Sequence, residues 1–217
     1  MIKEQIKKNG FVFLGKFHSE KDDDEISSIF GVRSCSRNES AIHTLTPQKI
    51  DETTPNTYSG IYGYDNFPFH TDLAHWKLPP RYLLLRCVVG FQDVPTLIVD
   101  GKKVIEIAGK LLLSRALVQP RRPIKGRLPL HRLLEDIEGE MLLRWDSVFL
   151  KPASKAGIEG MSSFNTAIDK CDNSSFALKD KGDTILIDNW RMLHARSSVG
   201  NQHANRQITR IYFEELF

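Results

Sequence analysis

The chain has 217 residues, 41% hydrophobic and 26% charged, with net charge +3 and a pI near 8.7. That is enough chain for one domain, 1–217, with a sizeable core. The charge is too mild to argue by itself for a nucleic-acid partner. No apolar run approaches the length of a membrane span, and Met1-Ile2-Lys3-Glu4-Gln5 lacks the apolar stretch of a secretory signal. Cys35, Cys87 and Cys171 are scattered, odd in number and outside any CxxC or CxxH pattern, which reads as reduced thiols in a cytoplasmic protein.

In chain order, Lys3 to Lys8 reads as a short helix stopped by Asn9-Gly10, and Phe11-Val12-Phe13-Leu14 as a strand. The acidic run Lys21 to Glu25 reads as a helix start, where acids suit the helix dipole. Residues 33–57 are polar and turn-rich, and are expected to be irregular. Arg81 to Val89 is a nearly continuous apolar run, hence a strand. Thr96 to Val99 is another, ended by an expected turn at Asp100-Gly101. Lys103 to Val118 has helical spacing in part. Arg115 to Arg132 carries Arg121, Arg122, Lys125 and Arg127 without an acid, and Pro120, Pro123 and Pro129 make it a loop. Glu140 to Leu150 is expected as a strand and Ser154 to Lys170 as partly helical. Asp183 to Asp188 and Gln207 to Phe213 close the chain as strands. Many strands with few helices predict a mainly β fold, a sandwich or barrel with flanking helices.

Two distant segments carry chemistry. In Phe67-Pro68-Phe69-His70-Thr71-Asp72, a strand would put His70 and Asp72 on one face, about 6–7 Å apart along the backbone. In Asp188-Asn189-Trp190-Arg191-Met192-Leu193-His194, His194 follows an apolar strand and a turn. Two imidazoles and one carboxylate can hold iron(II) on one face and leave the other open, whereas structural zinc prefers four closed ligands. HxD alone is common surface polarity, and a lone histidine is more often structural. Arg206 and Arg210, four apart in a strand, would share a side. Inside a barrel they need an anion, and an exposed edge strand is the equally weighted alternative. His75 could line the pocket without ligating. His18, His43, His131 and His203 read as surface residues. No GxSxG, GxxxxGK or strand-bound GxGxxG motif is present.

These residues resemble the taurine dioxygenase and clavaminate synthase-like family of iron(II)/2-oxoglutarate oxygenases. The resemblance runs from Asn9–Leu14, through Phe67–Leu73 with Pro79-Pro80 and Leu143-Arg144-Trp145-Asp146, to Gly182–Asn189, Leu193-His194-Ala195-Arg196, Arg206 and Arg210. It implies a double-stranded β-helix, a cupin-like jelly-roll barrel. His70, Asp72 and His194 would ligate Fe(II), Arg206 would clamp the distal carboxylate of 2-oxoglutarate, and Thr96 would bond the same co-substrate. Arg210, Asn66 and Trp190 are the implied substrate contacts. The implied activity is an O2-dependent oxidation of a C–H bond in a small, anionic or amino-acid-like metabolite. Asp72 favours hydroxylation over halogenation, because related halogenases lack that carboxylate. Two alternatives stay open. One is the same chemistry on a macromolecular or carrier-bound substrate docked on 115–132, where a nucleic acid would betray itself by salt dependence. The other is a non-catalytic jelly-roll binding module.

Overall fold

The computed structural model describes residues 2–34 and 42–217, so Cys35 lies outside the described residues. Two antiparallel sheets lie face to face. The larger has the order Phe11–Leu14, Thr184–Asp188, Tyr82–Val89, Gln207–Leu216, Gly31–Arg33, with Ile42–Leu45 also paired to the long C-terminal strand. The smaller has the order Ser174–Phe176, Thr96–Asp100, Met192–Arg196, Phe67–His70. Side chains alternate across each strand, so one strand feeds two cores. Leu83, Leu85 and Cys87 point between the sheets with Ile185, Ile187, Ile98 and Met192. Leu84, Leu186, Ile211 and Phe213 point outward onto the helices Ile2–Asn9 and Asp23–Phe30 through Ile6, Ile26 and Phe30. Both faces of Tyr82–Val89 are therefore covered, which is why its sequence reads as continuous apolar. On the far side, Val99 and Leu193 pack with Trp145 and Phe164 under the helices Gly101–Ala108, Lys110–Arg115 and Lys155–Ile168. The sandwich or barrel expected from the strand pattern is thus a sandwich of two sheets with helices on both outer faces.

Several local expectations change. Asp100-Gly101 is no turn: the Asp100 carboxylate accepts the Lys102 N–H at 3.0 Å and caps the helix Gly101–Ala108. Glu140 to Leu150 breaks into Glu140–Leu143 and Leu150–Pro152: the Arg144 and Trp145 N–H groups donate to the Leu133 carbonyl and the Thr71 hydroxyl, and Asp146 then lines a cavity. Within 33–57, Ile42–Leu45 is a strand and Ile50–Glu52 a single 3-10 turn. The basic segment contains the strand Leu117–Pro120, paired with Leu150–Pro152 and with His131–Arg132, so only its middle is loop. His131 is buried, its Nε2 3.2 Å from the His75 carbonyl, and His203 stacks on Phe91, so neither is a plain surface residue. His18 is exposed. Cys87 and Cys171 are free thiols. No helix among the described residues is long and apolar enough to cross a membrane.

Candidate metal centre and co-substrate cavity

Strand register brings the two histidines together. His194 on Met192–Arg196 lies directly across from His70 on Phe67–His70, and the ring centroids are 4.3 Å apart. Asp72 arrives differently from the expectation. The strand ends at His70, and the chain turns at Thr71, whose N–H donates to the Trp145 carbonyl. Asn189 then pins the backbone: its Oδ1 accepts the Asp72 N–H at 2.7 Å, and its Nδ2 donates to the Asp72 and Pro80 carbonyls at 3.0 Å. Asp72 Oδ1 ends 3.3 Å from His70 Nε2 and 3.4 Å from His194 Nε2. One ligand atom from each of His70, Asp72 and His194 lies within 4.8 Å of the others, and all three residues are buried.

The surrounding bonds favour metal-binding states. His70 Nδ1 is 2.8 Å from the Pro68 carbonyl, which can only accept. That nitrogen therefore carries the proton and Nε2 turns a lone pair to the centre. His194 Nδ1 is buried without a hydrogen-bond partner among the described residues, so nothing there competes to set its tautomer. Burial alone would raise the Asp72 carboxyl. The Arg210 charge and the bonds from His194 and His70 outweigh burial and hold it well below its usual range. Its second oxygen accepts the Tyr212 hydroxyl at 2.6 Å and lies 3.4 Å from Arg210 Nη1. Burial lowers His194, and the His70 charge lowers it further. His70 moves up, because Asp72 and Asp146 outweigh its burial.

The triad opens into a cavity of about 480 Å³, within the roughly 300–1,000 Å³ usual for small-molecule sites. Period-two alternation of the C-terminal segment sends Arg206, Ile208, Arg210 and Tyr212 into it together. The expected shared side of the two arginines is therefore observed, and the exposed-edge alternative falls. Arg206 is 6% exposed, and among the described residues no acid pairs with it. Among the described residues its Nε is buried without a hydrogen-bond partner, and burial pushes the guanidinium down to about 10. A buried cation facing a cavity without a counter-ion is a site for an anion. Thr96 is buried and lines the same cavity from the smaller sheet. His75 lines the cavity but stands outside the triad.

Two expected substrate contacts do not reach this cavity. Asn66 is exposed, just before the strand Phe67–His70, and is absent from the lining. Trp190 turns the other way: its indole N–H donates to the Pro79 carbonyl at 2.9 Å, which braces the loop after Asp72. In their place stand residues to which the sequence attached no role. Tyr58 stacks on the His70 ring at 4.4 Å, and burial raises its phenol. Arg196 donates to the Gly63 and Asp65 carbonyls and lies 3.6 Å over the Phe67 ring. Asp146 is a buried carboxylate in the lining. The only advance signal was that Arg196 and Asp146 fall inside the quoted motifs.

No family model matches the chain. Solved structures do resemble it. PvcB from Pseudomonas aeruginosa, described as an iron, alpha-ketoglutarate dependent oxygenase from an isonitrile synthetic pathway, superposes with a TM-score of 0.70 at 16% identity, covering 97% of this chain and 78% of its own. An asparagine oxygenase in complex with Fe(II), 3-hydroxyasparagine and succinate gives 0.63 at 16% identity, over 85% of this chain and 60% of its own. The non-heme iron oxygenase OrfP, in complex with iron and alpha-ketoglutaric acid, gives 0.63 at 17% identity, over 86% and 60%. The chain thus spans about three fifths of the length of the last two. At these identities the likeness establishes the fold: the chain is built as the same jelly roll as these oxygenases.

Proposed function

We propose that this protein is an Fe(II)/2-oxoglutarate-dependent dioxygenase that hydroxylates a C–H bond of a small molecule, releasing succinate and CO2. The observation that carries the reading is the coincidence, in one cavity, of the His70, Asp72 and His194 triad with the unpaired, buried Arg206. A structural metal site would close its fourth position and would need no buried cation beside it. A binding module would need no open metal face. The three solved structures, each an oxygenase by description, support the reading through their shared fold.

In this reading His70 Nε2, His194 Nε2 and an Asp72 oxygen hold Fe(II). When bound there, the metal supplies O2 activation coupled to decarboxylation of 2-oxoglutarate, with one oxygen atom passing to succinate and the other to the substrate. Arg206 offers its planar guanidinium to the distal carboxylate, a bidentate charge-assisted match that offsets its desolvation. Thr96 adds a hydroxyl to the same cavity. Tyr212 and Arg210 hold the Asp72 carboxylate in its ionised form and fix which way it faces. With Asp72 occupying its ligand position, hydroxylation is favoured over halogenation. Ile208, Leu85 and Phe149 give the cavity an apolar lining that limits water around the reacting centre. Incubation with Fe(II), O2 and 2-oxoglutarate should yield succinate. Turnover that persists without iron, or without 2-oxoglutarate, would refute the proposal.

A second reading keeps the chemistry and enlarges the substrate. Arg121, Arg122, Lys125 and Arg127 are all exposed, and the Arg121 N–H donates to the carbonyl of the cavity residue Phe149. The basic loop therefore stands beside the cavity wall, where it could dock an acidic carrier or a nucleic acid. Salt-sensitive stimulation of succinate formation by such a partner would favour it.

A further inference from the structure

Arg196 carries a charge that the protein compensates only in part. It lies two residues beyond His194 on the strand Met192–Arg196, and it lines the same cavity. Strand register sets it between two neighbours, directly across from Thr96 on one side and from Phe67 on the other. Opposed residues of an antiparallel pair share a face, so Arg196 adjoins the hydroxyl that the oxygenase reading gives to the co-substrate. Its guanidinium lies 3.6 Å over the Phe67 ring. One nitrogen, Nη2, donates to the Gly63 carbonyl at 2.9 Å and to the Asp65 carbonyl at 2.6 Å. Both carbonyls belong to the segment that leads into the His70 strand, Phe67–His70. The Phe67 ring in turn packs against Tyr58, which stacks on His70.

The rest of the group is unsatisfied. Among the described residues its Nε is buried without a hydrogen-bond partner, its Nη1 makes no hydrogen bond, and no carboxylate forms an ion pair with it. Burial and then the Arg206 charge push the guanidinium down to about 10, against a smaller opposite pull from Asp65. Two guanidiniums thus face one cavity and repel each other, and a single anion beside both relieves both. We propose that Arg196 is a second cationic contact for the distal carboxylate of 2-oxoglutarate, and that its Nη2 bonds couple occupancy of the co-substrate site to the order of residues 63–66. Arg206 supplies the bidentate clamp. Arg196 has Nη1 left for the anion while Nη2 keeps the loop, so one side chain reads the co-substrate and holds the entry to the His70 strand. A 2-oxo acid without a second carboxylate leaves both cations uncompensated and the loop without this added hold.

The proposal rests on the oxygenase reading, and the experiment separates the two. Zn(II)-loaded protein, which binds without turnover, is titrated calorimetrically with 2-oxoglutarate and with 2-oxopentanoate, which keeps the chelating end and lacks the distal carboxylate. Amide hydrogen exchange over residues 63–66 is followed in each complex. In Arg196→Met, 2-oxoglutarate binding should weaken about tenfold, since one charge-assisted contact is lost, while 2-oxopentanoate binding stays within about twofold. Arg196→Lys should recover part of the 2-oxoglutarate affinity, because it restores the charge without the forked contact. A purely structural arginine would weaken both ligands alike and gain nothing from the charge of lysine. In the unaltered protein 2-oxoglutarate should slow exchange over 63–66 and 2-oxopentanoate should not, a comparison that needs no variant. Equal weakening of the two ligands, 2-oxoglutarate binding within about twofold in Arg196→Met, or exchange over 63–66 indifferent to 2-oxoglutarate would each overturn the proposal. Absence of 2-oxoglutarate binding in the unaltered protein would instead remove the oxygenase reading, and the proposal with it.

Discussion

Arg144 and Arg206 are both arginines buried in the same domain, and their surroundings are opposite. Arg144 is fully buried beneath the loop that follows Asp72. It donates to the carbonyls of Ala74, Trp76 and Lys77 and pairs with Glu135 at 3.3 Å. Every carbonyl it meets belongs to the segment that carries the candidate metal ligand into place. Among the described residues Arg206 meets no acid, and although the Nε of both arginines is unbonded there, only Arg144 has its other nitrogens bonded to protein carbonyls and a carboxylate. Burying a guanidinium is unfavourable in both places. At Arg144 the protein itself supplies the compensation, so the charge belongs to the scaffold. At Arg206 the compensation is left to a ligand.

The contrast can be broken experimentally. The largest effect is expected for His194→Ala, which removes one of three ligands and should abolish stoichiometric Fe(II) or Zn(II) uptake in equilibrium dialysis; retained stoichiometric binding would dismiss the triad. Arg144→Met should destabilise the fold by on the order of 3 kcal/mol in urea unfolding, because three carbonyls and Glu135 lose their partner. Arg206→Leu should do the reverse, leaving the unfolding midpoint of ligand-free protein unchanged or raised while weakening 2-oxoglutarate binding about a hundredfold. If Arg206→Leu destabilises as much as Arg144→Met, the distinction between scaffold and ligand charges fails. Asp188 supplies a smaller, pH-dependent test. Burial lifts its carboxyl to about 6 despite Arg81 and the Trp190 N–H. The native state then holds a proton that the unfolded chain releases near pH 4. Stability should fall as pH rises from about 4 to 6 and stay lower above that. Asp188→Asn should flatten that slope and gain at most about 3 kcal/mol at pH 7. An unchanged slope would show that Asp188 titrates normally.

Much of this architecture was legible in the sequence, for identifiable reasons. The apolar runs at Arg81–Val89 and Asp183–Asp188 persist because both faces of the larger sheet are covered by protein. Helix Lys155–Ile168, read only as partly helical, is complete, started by Ser154, whose hydroxyl accepts the Gly157 N–H. His70, His194, Arg206, Arg210 and Thr96 do converge, through strand register and period-two alternation. What stayed hidden depends on long-range approach. Tyr58 reaches the cavity from a segment with no pattern of its own, and Asp146 from a stretch read as part of a plain strand. Trp190 looks like a pocket residue in sequence, but its N–H finds a loop carbonyl. Asp72 was expected on a strand, yet its position is set by Asn189, more than a hundred residues away.

The most direct measurement is an anaerobic titration of the Fe(II)-loaded protein with 2-oxoglutarate, followed by the visible charge-transfer absorption of the chelate. The account predicts a band that saturates at one equivalent per chain, with a midpoint displaced about a hundredfold in Arg206→Leu. Iron that binds without producing the band, or a midpoint indifferent to Arg206, would contradict it.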